Sequence, residues 1–369
     1  MIIDYSQYSL WNFCPWAWYE RYVNQRQLRY EGQRSDALAL GSLVHNGLDN
    51  FAKFHKPIID QATMTEMNPT PECYAMAVLL IEGYINRYPA ELWPVELTEQ
   101  PLRFPLRPTE IGWDGEKIKY EGVPEYNGLA KLDGYFYVPE DTTIESGCGP
   151  NITLSRGWWG KEYKTKSFGR KRAEWIKEWQ TKRQADFQIL ALKNLVNSRE
   201  FSPKIIQLME QHGNSTSEVQ GILVCVLEKP HEYVPKRKCA GCKETWEMSS
   251  FIPQSEGFMC PSCNCVQELS PYIPKSPKVP EYFRITVTRD ARQLEIAKHE
   301  ILRTANRMEA VRANGMEAEI PNRDACVNNV HRRECEYHAP HTYGGTTSDG
   351  TKYVQIDSTK YMGLAEVGV

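Results

Sequence analysis

Apolar residues recur along this chain with two periods, and the places where the period changes mark its elements. Near the start, Tyr5-Ser6-Gln7-Tyr8-Ser9 opens a predicted helix that carries Trp11, Cys14, Trp18 and Tyr22 on neighbouring faces. Leu40, Val44, Leu48 and Phe51 stand at helical spacing and predict a second helix from about Ala37 to Phe54, ended by Pro57. A third apolar helix is predicted near Tyr74–Tyr88. Alternation then takes over. Leu129–Val138 (LAKLDGYFYV) predicts a strand, the polar and Gly/Pro-bearing segment 139–156 a long loop, and Gly157–Thr165 (GWWGKEYKT) the next strand. Trp175 to about Val196 reads as one long helix. Val219–Leu227 and Tyr282–Thr288 read as strands joined through a Pro-, Lys- and Ser-rich insertion that bears cysteines. Asp290–Asn314 is amphipathic, with Leu294, Ala297, Ile301, Met308 and Val311 on its inner face and Gly315 placed to end it. The tail after His341 is rich in Gly, Thr and Ser and reads as a loose appendage.

This strand–helix order predicts an α/β fold with a mixed central sheet flanked by helices. A helical N-terminal region (1–100) precedes a core in two pieces (101–229 and 281–341). The insertion (230–280) buds from the hairpin between the two pieces, and a tail (342–369) follows.

Composition narrows the class of protein without choosing a function. The 369 residues are 41% hydrophobic and 25% charged, in the ordinary globular range. A formal net charge of −3 excludes a uniformly basic nucleic-acid coat, so any such contact must be local. The opening MIIDYSQYSLWNF has neither a basic n-region nor a long apolar run, so the expectation is a cytoplasmic chain without a membrane span. In a reducing compartment the 11 cysteines then read as metal ligands rather than disulfides.

Candidate chemistry begins at Asp133, followed 29 residues later by Glu162-Tyr163-Lys164. On a strand, residues i and i+2 share a face, so Glu162 and Lys164 project together and Asp133 can join them from a neighbouring strand. Two carboxylates at one point are hard ligands for Mg²⁺ or Mn²⁺, and an adjacent lysine can position a water or stabilise developing negative charge. Charged alternation on a half-exposed strand produces the same pattern, so the triplet alone leaves both readings open. Between Lys161 and Arg183, nine lysines and arginines oppose three glutamates, and Trp158, Trp159, Trp175 and Trp179 interleave. That is the composition of a single-strand track, and equally of a helix face backed by core tryptophans.

Cys239-Ala240-Gly241-Cys242 and Cys260-Pro261-Ser262-Cys263 are separated by 17 residues. The spacing is that of a zinc ribbon, in which each knuckle supplies two thiolates to a tetrahedral site, with Cys265 left as a spare thiol. Such a ribbon either staples an insertion too small for its own core or grips DNA or a partner.

Gly128-Leu129-Ala130-Lys131-Leu132-Asp133-Gly134 and Trp159-Gly160-Lys161-Glu162-Tyr163-Lys164-Thr165-Lys166 resemble the G-x-x-D and D/E-x-K-T strands of RecB-like nucleases in the PD-(D/E)XK superfamily. The resemblance runs over about residues 5–341. It implies a restriction-endonuclease-like core and a metal-dependent DNA exonuclease acting in recombination, repair or phage and mobile-element DNA processing. It further implies a functional glutamine on the helix after the lysine strand, here Gln188, although Leu192 stands where the family has tyrosine. Gly41-Ser42-Leu43-Val44-His45 looks like the family's G-x-x-x-H helix, which makes His45 an added ligand. The expected metal centre is therefore Asp133, Glu162, the Tyr163 carbonyl and His45, with Lys164 acting on the attacking water. Cys14, Cys326 and Cys335 resemble the cysteines of the superfamily's iron–sulfur members, where a [4Fe–4S] cluster clips the chain ends together. His341 stands where the last cysteine is expected, which leaves a cluster, a zinc site and unliganded thiols all open. The implied partners are single-stranded DNA or DNA ends, with a helicase or recombination protein as a separate chain, since no Walker A motif is present. A catalytically silent DNA-binding module, or a scaffold whose working part is the ribbon, is the alternative.

Overall fold

The structure is a computed structural model and describes residues 1–28, 36–89, 101–106, 126–167, 171–198, 218–230, 236–247, 252–254, 257–267, 279–315 and 353–355. The N-terminal part comprises β1 (Ile2–Asp4), α1 (Tyr5–Phe13), α2 (Pro15–Trp18), a π-helical turn at Tyr19–Val23, β2 (Arg26–Leu28), α3 (Asp36–Phe54), α4 (Gln61–Met67) and α5 (Pro71–Arg87). Next come β3 (Pro101–Leu106), β4 (Tyr126–Lys131), β5 (Gly134–Val138), β6 (Thr142–Ile144), β7 (Ile152–Leu154), β8 (Gly157–Lys166), α6 (Arg172–Thr181), α7 (Arg183–Ser198) and β9 (Val219–Glu228). The insertion holds β10 (Lys236–Lys238), β11 (Thr245–Glu247), β12 (Ile252–Gln254), β13 (Gly257–Met259) and β14 (Val266–Gln267). The chain then returns as β15 (Glu281–Thr288) and α8 (Ala291–Asn314), with β16 (Tyr353–Gln355) near its end.

The central sheet has the order β15-β9-β8-β5. It is mixed: β15 and β5 run antiparallel to their neighbours, while β8 and β9 are parallel. The near-continuous apolar run of β9 follows from this position, because helices cover both faces. Ile222, Val224 and Val226 point into one core with Phe187 of α7 and Leu294 and Ile301 of α8. Leu223, Cys225 and Leu227 point into the other with Leu40 and Leu43 of α3 and Leu80 and Ile81 of α5. The mixed α/β architecture and the hairpin from which the insertion buds are therefore as expected; β15 pairs with β9 from Glu281↔Glu228 to Thr288↔Gly221. A smaller sheet, β1-β4-β3, is tied to α7 where Asn194 Nδ2 donates to the Arg103 carbonyl (2.8 Å).

α8 starts and stops where its sequence says it should. Asp290 accepts from the Gln293 N–H (2.7 Å), and the Gln293 side chain accepts from the Asp290 N–H (3.0 Å), closing a capping box. Gly315 takes φ +81°, a conformation costly for any side chain, and ends the helix. Its predicted inner face is buried as expected.

Several expectations need correcting. Leu129–Val138 is not one strand. It breaks at Leu132–Asp133, so that β4 belongs to the small sheet and β5 to the central one. Apolar residues on both sides of the break hide it, because each strand is buried in its own sheet. Segment 139–156 is not wholly loop: β6 and β7 form a hairpin across it. The helix expected from Trp175 to Val196 starts earlier and is two helices, divided at Lys182, whose ψ of 126° is extended. One extended residue leaves no mark on a helical periodicity. The N-terminal region opens with a strand that pairs in parallel with β4, and part of the tail, β16, pairs with β2. No helix among the described residues is long and apolar enough to cross a membrane.

Candidate metal centres

The first site arises where the central sheet runs out of strand. β5 begins at Gly134, which pairs with Lys161. Beyond that register, Glu162 to Lys166 keep β9 on one side and lose β5 on the other. Asp133 occupies the start of the vacated edge: the Tyr163 N–H donates to its Oδ2 (2.7 Å). A strand residue presents its N–H and C=O to the same edge, so the Tyr163 carbonyl faces this gap as well. The Tyr163 ring is turned into the α3–α5 core, where it meets Tyr84 edge-on at 5.6 Å.

Helices on both faces complete the group. From α3, His45 Nδ1 lies 3.0 Å from Asp133 Oδ1. From α7, Gln184 Nε2 donates to Glu162 Oε1 (2.9 Å) and Gln188 Nε2 to Glu162 Oε2 (2.7 Å). Gln188 also donates to the Lys131 carbonyl (3.2 Å), which ties the end of β4 to Glu162. Lys164 forms an ion pair with Glu162. The sequence therefore brings Asp133, Glu162, Tyr163, Lys164, Gln188 and His45 to one place. Gln184 was missed, although a polar residue four positions before Gln188 shares its helix face.

Charge and burial set these groups against one another. Burial pushes the Glu162 carboxyl above its usual range, and the Asp133 charge pushes the same way. Burial also works against ionised Asp133, but His45, Lys164 and the Tyr163 N–H together hold it below the usual range. His45 and Lys164 resist burial in turn and are raised, His45 mainly by Asp133 and Lys164 mainly by Glu162. An open cleft of about 660 Å³ leads to these side chains between α3–α4 and the edge of β8. Two repelling carboxylates and an edge carbonyl offer hard oxygen donors here, with the softer His45 imidazole beside them.

The basic track is only partly a surface. Lys161 and Lys166 are buried. Lys166 and Arg172 are both paired with Glu228 (2.6 and 3.0 Å), and Arg183 bridges Asp186 and Glu300 (2.8 and 2.6 Å). Arg170 lies outside the described residues. Trp158, Trp159, Trp175 and Trp179 are all buried, so they are core residues and not a stacking platform for bases.

The second site is the cysteine insertion. Its two knuckles are built alike: the Cys239 N–H donates to the Glu244 carbonyl (2.8 Å) and the Cys260 N–H to the Cys265 carbonyl (2.9 Å). Each turn closes through a left-handed residue, Lys243 (φ 65°) or Asn264 (φ 57°). The Sγ atoms of Cys239, Cys242, Cys260 and Cys263 all lie within 4.8 Å of one another. Cys239–Cys263 and Cys242–Cys260 are 3.5 and 3.8 Å apart, close to the edge of about 3.8 Å for a tetrahedron with Zn–S bonds of about 2.3 Å. These four cysteines can hold a metal such as zinc.

At the third expected site only Cys14 is described. Its side chain is buried at the junction of α1 and α2 among Leu10, Phe13, Trp16 and Ala17. Cys326, Cys335 and His341 lie outside the described residues. Comparison with protein-family models, with curated proteins and with solved structures finds no match to this chain.

Proposed function

We propose that this protein is a divalent-metal-dependent deoxyribonuclease with a restriction-endonuclease-like core, an exonuclease of the RecB-like kind that works on DNA ends in recombination, repair or mobile-element DNA processing. One observation carries the reading. Asp133, Glu162 and Lys164 meet at an open strand edge, with His45 and two glutamines holding the carboxylates in place. Asp133, Glu162, the Tyr163 carbonyl and His45 would hold Mg²⁺ or Mn²⁺, which supplies an acidified water and neutralises phosphate charge. Lys164, paired with Glu162 in this structure, would orient the attacking water, and Gln188 would keep Glu162 aimed at the site. Zinc at Cys239, Cys242, Cys260 and Cys263 would hold the insertion together, and Cys14, Cys326, Cys335 and His341 would clasp the chain ends around a [4Fe–4S] cluster or a second zinc. A helicase or recombination protein would act as a separate partner chain.

The test is digestion of end-labelled single- and double-stranded DNA with Mg²⁺ and with Mn²⁺, beside Asp133→Ala and Glu162→Ala. Cleavage by the parent and none by either variant, with circular dichroism unchanged, is the expected result. Metal-dependent cleavage by a purified Asp133→Ala protein removes the assignment. A parent that binds DNA yet never cuts it returns the silent-scaffold reading.

A further inference from the structure

The two knuckles of the insertion bring together five thiols where a tetrahedral ion takes four. The fifth, Cys265, is half-buried and packs against Cys239 and Cys260. Gly241 makes room for it. A Cβ at Gly241 would lie 3.1 Å from Cys265 Cβ, 3.4 Å from Cys265 Sγ and 3.2 Å from Cys263 Sγ. Both sulfurs therefore face one point, beside a residue that has no side chain. The backbone keeps them there. The Cys260 N–H donates to the Cys265 carbonyl (2.9 Å), and left-handed Asn264 (φ 57°) bends the chain between Cys263 and Cys265. Access to solvent differs among the five: Cys239 and Cys260 are buried, Cys242 and Cys265 half-buried, and Cys263 exposed. Cys14, Cys73, Cys148 and Cys225 pack in other parts of the fold.

We infer that Cys263 and Cys265 are an oxidation site for hydroperoxides, in which Cys265 captures the oxidised metal ligand as a reversible disulfide. The inference rests on zinc at the four cysteines and is independent of the nuclease chemistry. Cys263 is the ligand that a peroxide reaches from solvent. Its thiolate attacks one peroxide oxygen; the S–O bond forms, the O–O bond breaks and hydroxide leaves, giving the sulfenic acid. The Cys265 thiol then attacks that sulfur. The S–S bond forms, the S–O bond breaks, and the departing hydroxide takes the Cys265 proton to become water. Two thiol sulfurs have then lost two electrons between them, and one hydrogen peroxide has become water and hydroxide. The ion keeps three thiolates, and the second knuckle keeps one of its two ligands. A disulfide can be reduced again by thiols, whereas a sulfenic acid with no thiol beside it goes on to sulfinic acid, which thiols do not reduce. The fifth thiol thus makes loss of the metal recoverable.

The test treats zinc-loaded full-length protein with hydrogen peroxide beside a colorimetric zinc chelator and maps the cysteines by mass spectrometry, with dimedone to trap sulfenic acid. Parent, Cys265→Ser and Cys265→Ala are compared. Each should start with about one zinc per chain and release it at rates within about twofold of one another, because the first step falls on Cys263. The parent should form the Cys263–Cys265 disulfide and regain its zinc after dithiothreitol and fresh Zn²⁺. Both variants should carry at least about fivefold more dimedone on Cys263 and regain less than about a fifth of their zinc. Equal recovery in parent and variants, or a disulfide that omits Cys265, overturns the inference. So does a Cys265→Ser protein that holds no zinc before oxidation, since Cys265 would then be a ligand. A zinc-loaded parent that forms no disulfide loses this inference alone, whereas a parent that never takes up zinc loses the metal site with it.

Discussion

Glu162 is buried beside a second carboxylate and still accepts from Gln184, Gln188 and Lys164. Those donors work against a desolvation cost that still leaves the carboxyl above its usual range. They differ in standing. Gln188 is itself buried and reaches the Lys131 carbonyl as well, whereas Gln184 lines the open cleft. Gln188→Leu should therefore raise the Mg²⁺ concentration needed for half-maximal cleavage by about 10- to 100-fold, the usual effect of removing a group that orients a metal ligand. Gln184→Leu should do less, because water can replace its contact. A metal titration of cleavage rate compares them, and an unchanged Mg²⁺ dependence in Gln188→Leu would show that other groups aim Glu162.

Among the elements, α8 and the end of β8 each hold a device whose energy can be read. Asp290→Ala removes the side-chain half of the α8 capping box, the acceptor for the Gln293 N–H, and should lower stability by about 1 kcal/mol, seen as a lower urea midpoint with an unchanged slope. Where β8 ends, buried Lys166 and Arg172 of α6 meet Glu228 of β9. Burial opposes the Glu228 charge, but the hydrogen bonds and charges of Lys166 and Arg172 prevail and lower its pKa from an ordinary 4.5. A carboxylate lowered by folding stabilises the native state fully above its unfolded value and loses that contribution as pH falls through the folded one. At pH 7 Glu228→Gln strands the Lys166 charge and should cost about 3 kcal/mol. The gap between variant and parent should narrow steadily in denaturation series taken below pH 4.5; a gap independent of pH would mean that Glu228 contributes through packing alone.

For the whole molecule, the insertion hangs from the β9–β15 hairpin and meets at four thiols of its own. Its order should therefore depend on the metal, while the central sheet depends on its two helix-covered cores. Stripping zinc with a chelator should abolish hydrogen-exchange protection across 236–267 and leave β8, β9 and β15 protected. Loss of protection in both regions at once would mean that the insertion braces the core. Cys260→Ser should bring bound zinc below one per chain by elemental analysis, with the same regional loss of protection.

Much of this was legible in the sequence, for a local reason. Helical spacing located α3, α5 and α8, and the apolar run of β9 and the knuckles of Cys239–Cys242 and Cys260–Cys263 depend on residues close together in the chain. The i, i+2 rule likewise put Glu162 and Lys164 on one face. What neighbours cannot specify is which element covers a face. Four tryptophans in a basic segment read equally as surface or core until α6, α7 and β8 were seen to bury them. The break at Leu132–Asp133 was invisible because it exchanges one buried environment for another, yet it frees Asp133 to take the Tyr163 N–H. His45 reaches Asp133 across 88 residues of chain, and Gln184 reaches Glu162 only because α6 ends at Lys182 and α7 starts afresh. Periodicity sets which way a side chain faces, but the carboxylates meet their partners only once two sheets and the helices on both faces have packed.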